Sequence, residues 1–173
     1  MLKTAIRDDD PVLFCENLVL YNLTGGLPEN GDGLVPLGRA AIAREGTDLT
    51  LVAHSYTVQR GLRVADRLSQ DGISVEVVDL RSLRPLDVDT VAESVRKTNR
   101  ILVAEEGWST YGVGAELAAR LQRVCFDDLD APVERVGQAE VPMPYAKPLE
   151  LAALPLESKI EAAARSLLAE CGL

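Results

Sequence analysis

The strongest constraint in this sequence is its alternation of short apolar runs with stretches of 3.6-residue period. Asp48 to Ala53 reads as a strand, and the following stretch sets Val58, Leu62, Ala65 and Leu68 on one helical face, closed by Gly72. Ser74 to Asp79 is strand again. After a break at Pro85, Val88, Val91, Ala92 and Val95 share a helical face with Asp87 as the candidate cap. Ile101 to Ala104 is apolar throughout, as expected of a central parallel strand buried on both faces. Gly112 to Val124 repeats the helical period through Val113, Leu117 and Leu121, Val133 to Val136 is a short strand, and Leu156 to Leu168 is a last helix with Ile160, Ala164, Leu167 and Leu168 inward. The order β-α-β-α-β-α-β-α implies an α/β protein, a three-layer αβα sandwich with a mainly parallel sheet and right-handed crossovers. With 173 residues, the chain is long enough to bury a core without disulfide or metal staples.

The first thirty-odd residues break this rhythm. Asp8-Asp9-Asp10-Pro11 is a turn signal, Val12 to Cys15 reads as a short buried strand, and Asn22 to Gly38 is rich in Gly, Pro, Asn and Asp, which reads as a linker with a domain boundary near Pro36. The stretch Met1 to Asp8 lacks the apolar core of a signal peptide, and no apolar run approaches the ~20 residues of a membrane span. Cys15, Cys125 and Cys171 are an odd, widely spaced set that suits reduced thiols, so a cytoplasmic location is expected. The net charge of −9, from 18 basic and 27 acidic residues, disfavours nucleic acid and anionic lipid and favours basic partners.

Chemistry has few places to reside. No G-x-G-x-x-G or P-loop pattern follows the first strand of the alternation, which ends Ala53-His54-Ser55. His54, the one histidine, lies where α/β sheets place ligands, but no second imidazole activates Ser55 and no acid is assignable to orient His54. Capping by Ser55 or Thr57, and an interface or surface hydrogen-bonding role for His54, are the favoured readings. Gly112-Val113-Gly114 at a helix start either holds an anion or lets the helix pack closely on the sheet, the second being favoured. Glu105 and Glu106 beside Trp108 are either an acid/base pair or interface residues; adjacent residues on a strand point apart, which favours two separate hydrogen-bonding roles. Trp108 is a core plug or an interface anchor. Val141 to Pro148, with Tyr145 inside it, is extended by its prolines and cannot be helix; it suits docking against another chain or a plain surface crossover.

Several of these segments together resemble the β subunit of the E1 component of 2-oxo acid dehydrogenase complexes. They are Asp10 to Asn17 with Leu20-Tyr21, Gly46 to Ser55, Val78 to Asp87, Glu105-Glu106-Gly107-Trp108 with Gly112 to Glu116, Asp130-Ala131-Pro132, and Val141 to Lys147, the last most similar to pyruvate dehydrogenase. The resemblance implies that residues 1–36 are a remnant of a pyrimidine-binding domain plus linker, and that residues 37–173 are a transketolase C-terminal-like domain. It implies thiamine diphosphate and magnesium in the parent enzyme but none on this chain alone, and it carries over no catalytic, cofactor-binding or metal-binding residue. The partners it implies are an E1 alpha subunit, a second E1 beta subunit, and the basic subunit-binding domain of the E2 acyltransferase, with Asp130 and Leu173 as contacts and His54, Glu105, Glu106, Trp108 and Tyr145 as possible interface. A free-standing anion- or small-molecule-binding module is the rival reading.

Overall fold

The computed structural model describes residues 1–26 and 33–172. In chain order its regular elements are α1 (Leu2–Ile6), a 3-10 turn (Leu18–Asn22), β1 (Ala41–Arg44), β2 (Leu49–Ala53), α2 (Tyr56–Gln70), β3 (Val75–Asp79), α3 (Val88–Thr98), β4 (Ile101–Trp108), α4 (Val113–Val124), a second 3-10 turn (Phe126–Asp128), β5 (Glu134–Gln138), α5 (Lys147–Ala153) and α6 (Glu157–Glu170). The strands form one sheet in the order β1-β3-β2-β4-β5. All neighbours are parallel except β1, which runs antiparallel along β3.

The two faces of the sheet are told apart by the alternation of side chains along each strand. Leu49, Leu51 and Ala53 of β2 join Val75, Val77, Leu102 and Ala104 beneath α2 and α6, where Val64, Leu68, Ile160 and Ala164 seal that core. Val52, Val78, Ile101 and Val103 face the other way, onto Val91 and Val95 of α3 and Leu117 and Leu121 of α4. One polar pair sits in that second layer: the Thr50 and Thr98 hydroxyls share a hydrogen bond of 2.7 Å, which satisfies both groups away from water. The three-layer α/β architecture expected from the periodicity is what the chain adopts.

Asp87 caps α3 as expected, its side chain accepting from the Thr90 backbone N–H. Four local expectations give way. Val12 to Cys15 is not a strand: Leu13 is 90% exposed, because among the described residues no sheet edge receives this segment and β1 already covers β3. β4 does not end at Ala104 but runs to Trp108, which pairs with Gln138 of β5 after an irregularity. Val141 to Ala146 is irregular, yet Lys147 and Pro148 open α5; a proline in the first turn is tolerated because the N–H it lacks has no helical partner there. Ser55 takes the N-cap position of α2 without a side-chain cap bond, with φ at 57°, and Thr57 is fully buried with its hydroxyl unpartnered, so neither caps. Part of the linker expected between Asn22 and Gly38 lies outside the described residues.

Candidate functional site

The strand order creates a switch point. From β2 the chain crosses through α2 to β3 on one side, and from β3 it crosses back through α3 to β4 on the other, so the carboxyl ends of β2 and β4 form the switch point at which open α/β sheets bind ligands. Register brings the sequence candidates to it. Ala53 pairs with Asp79 and with Ala104, which sets His54 beside Glu105 on adjacent strands.

Glu105 turns inward. It is 3% exposed, and its two carboxylate oxygens accept from the backbone N–H groups of Val113 and Gly114, each at 3.0 Å. The carboxylate of a strand thus caps the positive end of α4, where helix dipole and unpaired N–H groups favour an anion. Gly112 and Gly114 make the room: a Cβ on either would come within 2.5 Å and 2.7 Å of Oε1. The helix start that could hold a ligand anion is therefore filled by the chain itself.

Glu106 points elsewhere, to Arg60 at 3.6 Å. Arg60 is itself buried, donates to the Pro155 carbonyl at 2.9 Å and lies over the Tyr56 ring. Trp108 is 43% exposed, so it does not plug the core. Gln138, its amide oriented by these neighbours, accepts from Trp108 Nε1 at 2.9 Å and donates to the Glu106 carbonyl at 2.7 Å. Tyr145 stands fully in solvent.

His54 is half-buried, and its Nε2 is enclosed without a hydrogen-bond partner. Ser55 Oγ accepts instead from Asn17 Nδ2 at 3.3 Å, so the pair forms no nucleophile and base. Burial lowers the imidazole pKa against the opposing pull of the Glu105, Glu106 and Asp79 carboxylates, while burial raises that of Asp79. A folded-state pKa below the ordinary 6.5 means that the unfolded chain takes up the proton first. The His54 contribution is therefore intact above 6.5 and is lost as pH falls below it. Urea melts between pH 8 and 5 are expected to show this decline flattened in His54→Gln, and an NMR titration of the lone imidazole should place its midpoint below 6.5; a midpoint above 6.5 would refute the burial argument.

Asp130 lies at the opposite end of the strands, beside the start of β4. Its N–H donates to the Asn99 carbonyl at 2.9 Å just before β4, and its carboxylate, half-exposed, pairs with Arg100 at 2.8 Å. The His54 cluster and Asp130 thus occupy two separate surfaces. Leu173 lies outside the described residues. Sequence reasoning missed Glu105 as a cap; the available signal was an acid at a strand end followed by glycines flanking the next helix start.

Among the described residues no helix is long and apolar enough to cross a membrane. The model of the transketolase C-terminal domain matches residues 38–160. The pyruvate dehydrogenase E1 component subunit beta of Rickettsia felis is 48% identical over 92% of this chain and 49% of its own length; the mitochondrial one of Dictyostelium discoideum is 45% identical over 95% and 47%. The chain thus spans about half the length of these curated relatives. A solved structure described as a split-gene transketolase, an inactive β4 tetramer, superposes with a TM-score of 0.68 at 28% identity, over 83% of this chain and 47% of that one. A family match across this much of the sequence, carried by the same doubly wound sheet that the residues build, shows that the chain belongs to the transketolase C-terminal domain family.

Proposed function

We propose that this chain is the C-terminal half of an E1 beta subunit of a thiamine diphosphate-dependent pyruvate dehydrogenase complex, where it serves subunit assembly and docking to the E2 acyltransferase. The parent reaction on this reading is oxidative decarboxylation with acyl transfer to lipoamide. The observation that carries it is the identity of 45 to 48% running over more than nine-tenths of the chain but only half of each relative. The described residues do not fit thiamine diphosphate or magnesium: no three His, Cys, Asp or Glu side chains converge, and the α4 N–H groups that suit a phosphate are held by Glu105. No catalytic step is assigned to this chain.

Exposed apolar side chains support an assembly role. Residues 1–36, read as the edge of a preceding pyrimidine-binding domain, leave Ile6 75%, Leu13 90% and Leu18 73% exposed, an apolar display that suits cover by the other half of the subunit. The partners proposed are that half, an E1 alpha subunit, a second copy of this chain and the basic subunit-binding domain of E2. Self-association draws support from the structural neighbour, whose description is a tetramer of one chain type. Asp130, half-exposed in a chain of net charge −9, is the proposed contact for the basic domain.

Two measurements test this. The purified chain with pyruvate, thiamine diphosphate and magnesium is expected to give no turnover, and on sizing it should co-elute with E1 alpha once a pyrimidine-domain chain is supplied; separate elution of all components sinks the assembly role. Asp130→Lys is expected to weaken binding to the E2 domain about tenfold, roughly 1.4 kcal/mol. Unchanged affinity by calorimetry removes Asp130 from the interface.

A further inference from the structure

We infer that Arg100 is an internal competitor for the docking carboxylate: it occupies Asp130 in the free chain and so holds down the affinity of a basic partner that uses the same group. The inference rests on the docking role proposed above for Asp130 and adds what regulates it.

Arg100 immediately precedes β4, and one of its terminal nitrogens lies 2.8 Å from Asp130 Oδ2. Its side chain is only 16% exposed. The other terminal nitrogen reaches the Asp48 and Thr98 carbonyls at 3.5 Å, and Nε is enclosed without a partner. Among the described residues Asp130 is the one carboxylate that Arg100 pairs with. A guanidinium held in this way cannot swing into solvent when another cation approaches. Arg96, one helical turn earlier, is the contrast: it pairs with Asp128 at 3.3 Å but is 49% exposed, so it has room to move aside.

Two effects of Arg100 on a basic partner oppose each other. Fixing the carboxylate favours binding, because the partner need not order it; neutralising the carboxylate disfavours binding, because the guanidinium repels the partner's cation. The surroundings decide which wins. The loop that carries Asp130 is fixed without Arg100: Asp130 N–H donates to the Asn99 carbonyl at 2.9 Å, and Asn99 Nδ2 donates to the Asp128 carbonyl at 2.8 Å. Removing Arg100 therefore frees only the torsions of one short side chain. The neutralising effect has no such substitute, since no other cation pairs with Asp130 among the described residues. Coulomb repulsion falls only as the inverse of distance, so a cation seated on the second oxygen, Oδ1, still feels Arg100 across the carboxylate. Drawing the carboxylate away instead would strand a largely buried guanidinium, which is costlier still. By either route the partner is opposed by Arg100.

Calorimetry with the 173-residue chain and the E2 subunit-binding domain, at low and at physiological salt, reads the competition. Arg100→Met removes the charge and keeps an apolar stem; it is expected to tighten binding about fivefold at low salt, and by less at physiological salt. Arg100→Gln, which still donates to the neighbouring carbonyls, carries the same expectation and decides the matter if the methionine variant does not fold. Arg100→Lys restores the charge and should return the affinity to near that of the wild type. Arg63→Met removes an equal charge from α2 and should change the affinity little. Weaker binding on loss of the Arg100 charge would show that the guanidinium presents the carboxylate rather than competes for it, and that result overturns the inference. Unchanged binding, or equal tightening by Arg63→Met, overturns it too, while the docking role of Asp130 still stands if Asp130→Asn weakens binding. An affinity untouched by Asp130→Asn overturns that role and this inference with it.

Discussion

Gly46→Ala is expected to destabilise the fold by about 3 kcal/mol or more, at the upper end of what overpacking costs. Gly46 is buried in the link between β1 and β2, where it passes over the start of β3, and a Cβ there would overlap the Val75 carbonyl carbon and the Glu76 nitrogen. Those are backbone atoms of a strand paired on both sides, so they cannot swing away as a flexible side chain would. The same link is tied down by Thr47 and Asp48 N–H groups donating to the Ser74 carbonyl and by Ser74 N–H donating to Asp48 Oδ2 at 2.7 Å. It also covers Glu76, a buried carboxylate that meets Lys97 and accepts from Gly46 N–H. Forcing the link outward would strain these contacts together. In a chain of this size the melting temperature should fall by roughly 6 to 12 °C. Gly72→Ala is the control: Gly72 has φ of 82° but nothing within 4 Å, so it should show only the conformational penalty of about 1 kcal/mol. Equal losses at the two sites would mean that steric overlap is not what Gly46 relieves.

Glu105→Ala is expected to cost about 2 to 4 kcal/mol, since hydrogen bonds to a charged group contribute roughly 1.5 to 3 kcal/mol each and two N–H donors lose their acceptor. Glu105→Gln should lose about half as much, because one amide oxygen still accepts while the amide NH2 faces a donor. The decisive comparison adds Gly114→Ala. Alone, it places a methyl 2.7 Å from Glu105 Oε1; with Glu105 already Ala, that obstacle is gone and the nearest contact is Val103 Cγ1 at 3.1 Å. The two losses should therefore fall short of additivity by about 1 kcal/mol or more in urea melts, as expected for groups in direct contact. Strict additivity would show that the glycine is there for another reason.

These two sites differ in how legible they were. The glycines before and within the first turn of α4 stand out in the sequence and drew a choice between anion binding and close packing. The structure gives a third outcome in which an anion is bound, but it is the chain's own Glu105. An acid at a strand end followed by glycines hints at such a link without fixing it, because the contact of residue 105 with residues 113 and 114 depends on β4 continuing past Ala104 and on α4 starting beside its end. Gly46, which opens one of the segments of the resemblance, carries no structural signal of its own in the sequence. Its need for a missing side chain comes from a strand some thirty residues away.

The helical and strand periods were sufficient to place four strands and four helices and to assign the buried face of each helix, since those periods are properties of consecutive residues and the hydrophobic effect acts on the resulting stripe wherever its partner lies. The same local physics misjudged Val12 to Cys15, where an apolar run had no neighbour to bury it, and overlooked β1, whose pairing is decided by the open edge of β3. Tertiary structure alone decided the strand order, the separation of His54 from Asp130 at opposite ends of the strands, and the inward turn of Glu105. Each depends on contacts between residues far apart in sequence, whose geometry exists only once the sheet has assembled.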